Sequence, residues 1–258
     1  MIDVHCHLEQ QDYQKDRDQV IEKCKKELKA VITCCAHPDD FKITLEMVDK
    51  FKNFVFASVG IHPEYIEEID GEQVKSFINL IRKNKDKFVA IGEVGLDYFW
   101  IKDENLREKQ RELFVTFINL AKELNLPLII HARDAFDDAV RILEENNAKI
   151  VLMHMFGAHH LLKRVIQNGW YISVNAIVLR SKKHKKIIRD APLERIMLET
   201  DSPWLSPVQL TQGIKTRNDP TSVKIVARRI AEIKKIPVEE VAKITTKNAI
   251  NFFKLPIK

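Results

Sequence analysis

Eight short apolar runs, each followed by a polar rim or a stretch of helical period, constrain this chain more than any other feature. The runs are Met1–Val4, Ala30–Cys35, Phe54–Gly60, Phe88–Gly92, Pro127–Ile130, Lys149–Met153, Trp170–Val174 and Arg195–Leu198. Most are apolar at consecutive rather than alternate positions, as in a strand covered on both faces. Between them, apolar residues recur at helical spacing. Val20, Cys24 and Leu28 form one stripe, and Leu113, Phe117 and Ala121 another. Val140 with Leu143 form a third, and Leu161, Leu162, Val165 and Ile166 a fourth. Strand–helix alternation implies βαβ units with right-handed crossovers. Eight units in 258 residues predict a closed (β/α)8 barrel of the TIM type, an α/β fold in a single domain over 1–258. An open doubly wound sheet is the alternative, but no Gly-rich turn follows the first run. Two further helices, Val223–Ile233 and Val238–Phe253, should pack on the same domain.

In such a barrel the active site lies at the C-terminal ends of the strands. The first run leads into His5-Cys6-His7, the third into His62-Pro63 and the fourth into Glu93 and Asp97. The fifth leads into His131-Ala132-Arg133, the sixth into His154, and the eighth into Glu199-Thr200-Asp201. His5 and His7, two apart on a strand, share a face; Cys6 should point away. Histidine with carboxylate suits Zn, Mn, Fe or Co, and less obviously Mg. Glu93 stands among apolar neighbours, where a carboxylate needs a compensating cation. The predicted metal set is therefore His5, His7, Glu93, His131, His154 and Asp201. Two cations bridged by a carboxylate bring the pKa of a shared water near neutrality. Glu93 is the candidate bridge, and Asp201 the candidate acceptor of the water's proton. His62 and Arg133 are expected to touch substrate, Arg133 through its planar fork; a salt bridge to Asp134 or Asp137 is its alternative reading.

The net charge of +5 permits a polyanionic partner without demanding one. The basic run Lys182-Lys183-His184-Lys185-Lys186 either lines the barrel mouth or forms a solvated helix face. Some aromatics near strand ends, among Tyr65, Tyr98, Phe99, Trp100, Phe156 and Trp204, have the faces to stack on bases. The four cysteines lack framework spacing, which predicts reduced thiols and a cytoplasmic protein. No apolar run approaches the length of a membrane span, no leader pattern opens the chain, and nothing calls for an obligate protein partner.

Taken together, these motifs resemble the TatD family of metal-dependent hydrolases. The markers are Asp3-Val4-His5-Cys6-His7-Leu8, Gly60-Ile61-His62-Pro63, Gly92-Glu93-Val94-Gly95-Leu96-Asp97-Tyr98, His131-Ala132-Arg133, Leu198-Glu199-Thr200-Asp201-Ser202-Pro203-Trp204-Leu205 and Arg217-Asn218-Asp219-Pro220. The resemblance implies a TIM-type barrel with two, sometimes three, divalent cations. It implies His5, His7, Glu93 and Asp201 around one, and Glu93, His131 and His154 around the other. It also implies metal-dependent phosphodiester cleavage, commonly of DNA. Hydrolysis of an ester such as a D-aminoacyl-tRNA, or a catalytically silent binding barrel, are the rival readings. The chain departs from the family pattern at Glu64, where a second histidine is usual. It departs again at Gly157, one place earlier than the usual glycine, and at Ser173-Val174-Asn175-Ala176. These departures bear on substrate choice rather than on metal binding.

Overall fold

The computed structural model describes residues 1–257. Eight strands follow one another in a single parallel sheet: β1 (Ile2–Cys6), β2 (Ala30–Cys35), β3 (Val55–Val59), β4 (Ala90–Asp97), β5 (Leu128–Arg133), β6 (Val151–Met153), β7 (Tyr171–Val174) and β8 (Ile196–Leu198). Seven parallel pairings link them in sequence order. The last gap is bridged at the rim, where Asp201 N–H donates to His5 O at 3.0 Å and His7 N–H to Ser202 O at 2.7 Å. The result is a nearly closed (β/α)8 barrel of the TIM type, as the alternation of runs predicts.

Ten helices follow: α1 (Arg17–Lys25), α2 (Phe41–Lys50), α3 (Gly71–Lys83), α4 (Glu104–Leu124), α5 (Phe136–Glu145), α6 (Leu162–Gln167), α7 (Lys182–Asp190), α8 (Pro207–Gln212), α9 (Val223–Lys234) and α10 (Val238–Phe253). Their starts and stops have local causes. Asp70 and Gln73 form a reciprocal capping box on α3, and the Asp103 carboxylate accepts from Leu106 N–H to open α4. Asn125 closes α4 in the left-handed conformation.

Two apolar layers result. Strand residues such as Val31, Ile91, Ile130 and Leu198 face outward against the helices, with Phe114, Phe117, Ile118 and Val226. The inner layer gathers Ile2, Val4, Ala30, Ile32, Ala90, Ile129, Leu152 and Met197, packed with Phe252 and Phe253 from the end of α10. Going up the barrel, the inner face changes from apolar to polar. Ile129 gives way to His131, Leu152 to His154, Tyr171 to Ser173, and Met197 to Glu199, each two residues on.

Two strands break this step of two. Asp3 pairs with Val31 but Cys6 with Thr33, so β1 carries one extra residue between them. Ile91 pairs with Leu128 but Val94 with Ile130, so β4 carries one too. On β1 the extra residue lets Val4 lie in the inner layer while Cys6 lies in the outer one. Strict alternation would have put Val4 and Cys6 on one face. Cys6 does point away from the barrel interior, as expected, but the bulge is the reason.

The strand boundaries also correct the sequence reading. The fourth strand extends to Asp97 and the fifth to Arg133, beyond the apolar runs that end at Gly92 and Ile130. A run stops at its first polar residue, whereas a strand at the barrel mouth continues with polar side chains facing its interior.

Gly95 shows how tightly β4 and β5 approach. It pairs with His131 at φ +143°, and a Cβ there would lie 2.0 Å from the His131 carbonyl oxygen. No flexible side chain can give way, because the clash is with backbone. Gly95→Ala should cost about 3–4 kcal/mol, which lowers the melting temperature by on the order of 10 °C. A melting temperature within 2 °C of the parent in a thermal scan would refute this.

Candidate metal centre

Six polar side chains from five strands or their ends meet inside the barrel mouth. Along β1, the bulge presents His5 and His7 together, with their Nε2 atoms 3.2 Å apart. Glu93 Oε2 lies 3.3 Å from His5 Nε2 and 3.8 Å from His7 Nε2. Asp201 Oδ1 lies 3.7 Å and 3.5 Å from the same two nitrogens. Asp201 adopts φ +57°, a conformation aspartate tolerates, directly after its N–H has bonded to His5 O.

The other oxygen of Glu93 faces a second group. Oε1 is 2.8 Å from His131 Nδ1, 3.6 Å from His154 Nε2 and 3.8 Å from His62 Nε2. His62, Glu93 and His131 lie at ligand spacing, as do His5, His154 and Asp201, and His5, His7 and Glu93. His62, expected from sequence to touch substrate, lies beside Glu93 and lines the open mouth cavity while largely buried. Arg133 is exposed. Its guanidinium stacks 3.8 Å from the Phe99 ring centroid and 5.3 Å from that of Trp100, and pairs with neither Asp134 nor Asp137 among the described ion pairs.

The donor spacing suits a cation. Ligands at about 2.0–2.2 Å in a tetrahedron stand about 3.4 Å from one another, and the two imidazole nitrogens lie 3.2–3.8 Å from each other and from the two carboxylate oxygens. Two imidazole nitrogens and two carboxylate oxygens aimed at one point, inside protein, need positive charge between them.

Three histidines are held from behind by carboxylates. His7 Nδ1 is 2.9 Å from Glu9 Oε1, His131 Nε2 is 2.9 Å from Asp97 Oδ2, and His154 Nδ1 is 2.8 Å from Glu199 Oε2. Such partners fix ring orientation and raise basicity. They are themselves anchored. Thr33 Oγ1 donates to Glu9 at 2.6 Å; Ser173 Oγ and Asn175 Nδ2 donate to Glu199. Asp97 Oδ1 accepts from Phe99 and Trp100 N–H at 2.9 and 2.8 Å, so one carboxylate orients His131 and folds the aromatic turn. None of Glu9, Asp97 or Glu199 was singled out as a site residue from sequence. The available signal was their spacing: Glu9 is two residues beyond His7, and Glu199 two before Asp201.

Ionisation follows these contacts. Burial pushes the Glu93 carboxyl up, but His154, His5, His62 and the His131 hydrogen bond outweigh it and hold it well below the usual range. Asp201 is likewise held at about 2, with burial opposed by His7, His154 and His5. For His131 and His154, burial works against the charged form, yet their carboxylate partners raise them to about 9 and about 10. Burial and the neighbouring His131 lower His62 to about 3.

Around this centre lies an open cavity of about 590 Å³. Trp100 and Arg133 wall one part, Trp204 another, and Lys183 and His184 a third. The Trp204 ring stands 5.0 Å from that of His7. Lys183 and His184 are the only members of the basic run that line the cavity among the described residues. No helix among the described residues is long and apolar enough to cross a membrane.

Known proteins resemble this chain along its length. A family model described as TatD related DNase matches residues 2–254. An uncharacterized metal-dependent hydrolase of Methanocaldococcus jannaschii is 37% identical over 98% of this chain and 96% of its own. Human deoxyribonuclease TATDN3 is 34% identical over 98% of this chain and 94% of its own. Among solved structures, a TatD homologue from Escherichia coli superposes with a TM-score of 0.91 at 25% identity, covering 99% of this chain and 98% of that one. Matched from end to end by the family model and by relatives well above 30% identity, the chain belongs to the TatD family of metal-dependent hydrolases.

Proposed function

We propose that this protein is a deoxyribonuclease that cleaves phosphodiester bonds with two divalent cations, zinc, manganese or magnesium, a third being accommodated as well. His5, His7, Glu93 and Asp201 would hold one cation. Glu93, His131 and His154 would hold the other, with His62 beside them. The observation that carries this reading is Glu93, whose two oxygens face two different histidine groups at 2.8–3.8 Å. The cations supply Lewis acidity and bring the pKa of water near neutrality. The chain supplies the rest. Asp201, ionised at neutral pH and partly open to the cavity, accepts the proton of the attacking water and returns it to the leaving oxygen. Arg133 offers unpaired N–H donors in a plane set by stacking on Phe99, which suits phosphate oxygens. Trp100 and Trp204, 59% and 47% exposed at the mouth, offer faces for bases. Human TATDN3, named a deoxyribonuclease, supports DNA as the substrate.

On this reading residues 1–258 act as one unit, and the four free buried cysteines suit a reducing cytoplasm. The test is a parallel assay of the cation-loaded protein on an oligodeoxynucleotide, an oligoribonucleotide and a D-aminoacyl ester. Chelator-sensitive cleavage of DNA is expected. Intact DNA in the presence of each cation, with the ester hydrolysed, would overturn the reading.

A further inference from the structure

The part of the mouth formed by the start of α7, between His154 and Asp201 in chain order, contains two nitrogen donors that no described contact uses. Lys183 Nζ makes no ion pair among the described residues, although Asp134, Asp137 and Asp138 line the groove beside it. His184 Nε2 is buried and has no hydrogen-bond partner. Both converge on Gly157. A Cβ at that position would lie 3.3 Å from Lys183 Nζ and 3.3 Å from His184 Nε2. Gly157 is not among the residues with positive φ, so its backbone does not require glycine. Without a side chain there, the ammonium group and the imidazole nitrogen stay open to the cavity, whereas even a Cβ would press on both. All three residues line the same cavity as Glu93, His131 and Asp201.

The chemistry of the two donors is complementary. Ser181 Oγ lies 2.8 Å from His184 Nδ1, and an Nδ1 that accepts from this hydroxyl leaves the ring proton on Nε2 as a donor. Burial, with the charge of Lys183, lowers His184 to about 4, so the ring is neutral. One full positive charge and one N–H therefore face a single point, an arrangement suited to one anionic oxygen group. Past Gly157 and Lys183, the adjoining groove carries Asp134, Asp137 and Asp138. Like charge there repels a continuing polyanion.

We propose that Lys183 and His184, left uncovered by Gly157, form a subsite for one terminal phosphate group of the substrate, in the same cavity as the metal centre. The inference rests on the phosphodiesterase reading above and deepens it: the substrate is a short or end-bound strand that carries a phosphate at one terminus.

The experiment measures kcat/KM of the cation-loaded protein on three short oligodeoxynucleotides of one sequence. One has a 5′-phosphate, one a 3′-phosphate and one neither. The unaltered protein should favour one phosphorylated form by roughly tenfold, the effect of one charge-assisted contact. Lys183→Ala removes the charge and Gly157→Val covers both nitrogens; each should bring that ratio to about one. Lys186→Ala, the same charge change on an exposed residue of α7 outside the cavity, should keep the ratio. Melting temperatures identify any variant that fails to fold, and Lys183, being exposed, can be replaced without disturbing packing. Equal rates on all three substrates by the unaltered protein, or a preference that survives both variants, would overturn the subsite while leaving the phosphodiesterase reading intact. Failure to cleave any of the three under all cations would overturn that reading and the subsite with it.

Discussion

Glu93→Gln lowers kcat/KM on DNA by at least about 10³-fold, or about 4 kcal/mol of transition-state stabilisation, and releases bound cation from the protein. Glutamine keeps the shape and removes the charge. In the native chain one Glu93 oxygen faces His5 and His7, while the other faces His131, His154 and His62. A neutral amide can present an acceptor to only one of these groups and turns an N–H₂ donor toward the other. On the proposed two-cation reading, both positions would lose their shared anion at once. The replacement should also be costly in an ordinary assay of loading: elemental analysis of the purified variant should find no more than one cation per chain. A variant that retains two cations and activity within tenfold of the parent would show that Glu93 is not the bridge.

Chelation produces the second large effect. Removing cations held at a thousand times their dissociation constant withdraws about 4 kcal/mol of stability. For a chain of this size that lowers the melting temperature by on the order of 10 °C. The gap depends on pH, and its sign follows from the histidines. His131 and His154 have folded values raised to about 9 and about 10 from an ordinary 6.5. Without cations, their protons offset the charge of Asp97, Glu93 and Glu199. That stabilisation is complete below pH 6.5 and disappears as pH rises through 9 to 10. Cation binding works the other way, because ligand nitrogens must be deprotonated. The difference in melting temperature between loaded and chelated protein should therefore be small near pH 6 and largest near pH 9. A gap that is constant across this range, or that shrinks with rising pH, would contradict the assignment of His131 and His154 as ligands.

Much of this was legible before any coordinate. Runs such as Ala30–Cys35 and Trp170–Val174 are apolar on consecutive positions because both faces of a barrel strand are covered. Their number and the helical stripes between them suffice for the architecture. The histidines also stand out, since His131 and His154 follow apolar runs directly, at the ends of strands where this fold places its chemistry. Helix α10, read as Val238–Phe253, has those bounds in the structure.

Other features depend on contacts distant in sequence. The inward direction of His5 and His7 rests on a bulge against β2, and local alternation gives no sign of it. The position of His62 beside Glu93 depends on how the ends of β3 and β4 meet. Arg133 stacks on Phe99 because Asp97 folds the aromatic turn beneath it. The orienting pairs His131–Asp97 and His154–Glu199 join residues 34 and 45 positions apart.

Primary structure alone was enough for the barrel and for the residue types that bind cations, because burial pattern and donor chemistry are properties of each residue and its near neighbours. Only the folded chain reveals which donors face one another, what holds three of the imidazoles from behind, and that Lys183 and His184 converge at Gly157. Those are distances between segments far apart in the chain, and they arise when closing the barrel brings β1 and β8 to the same edge.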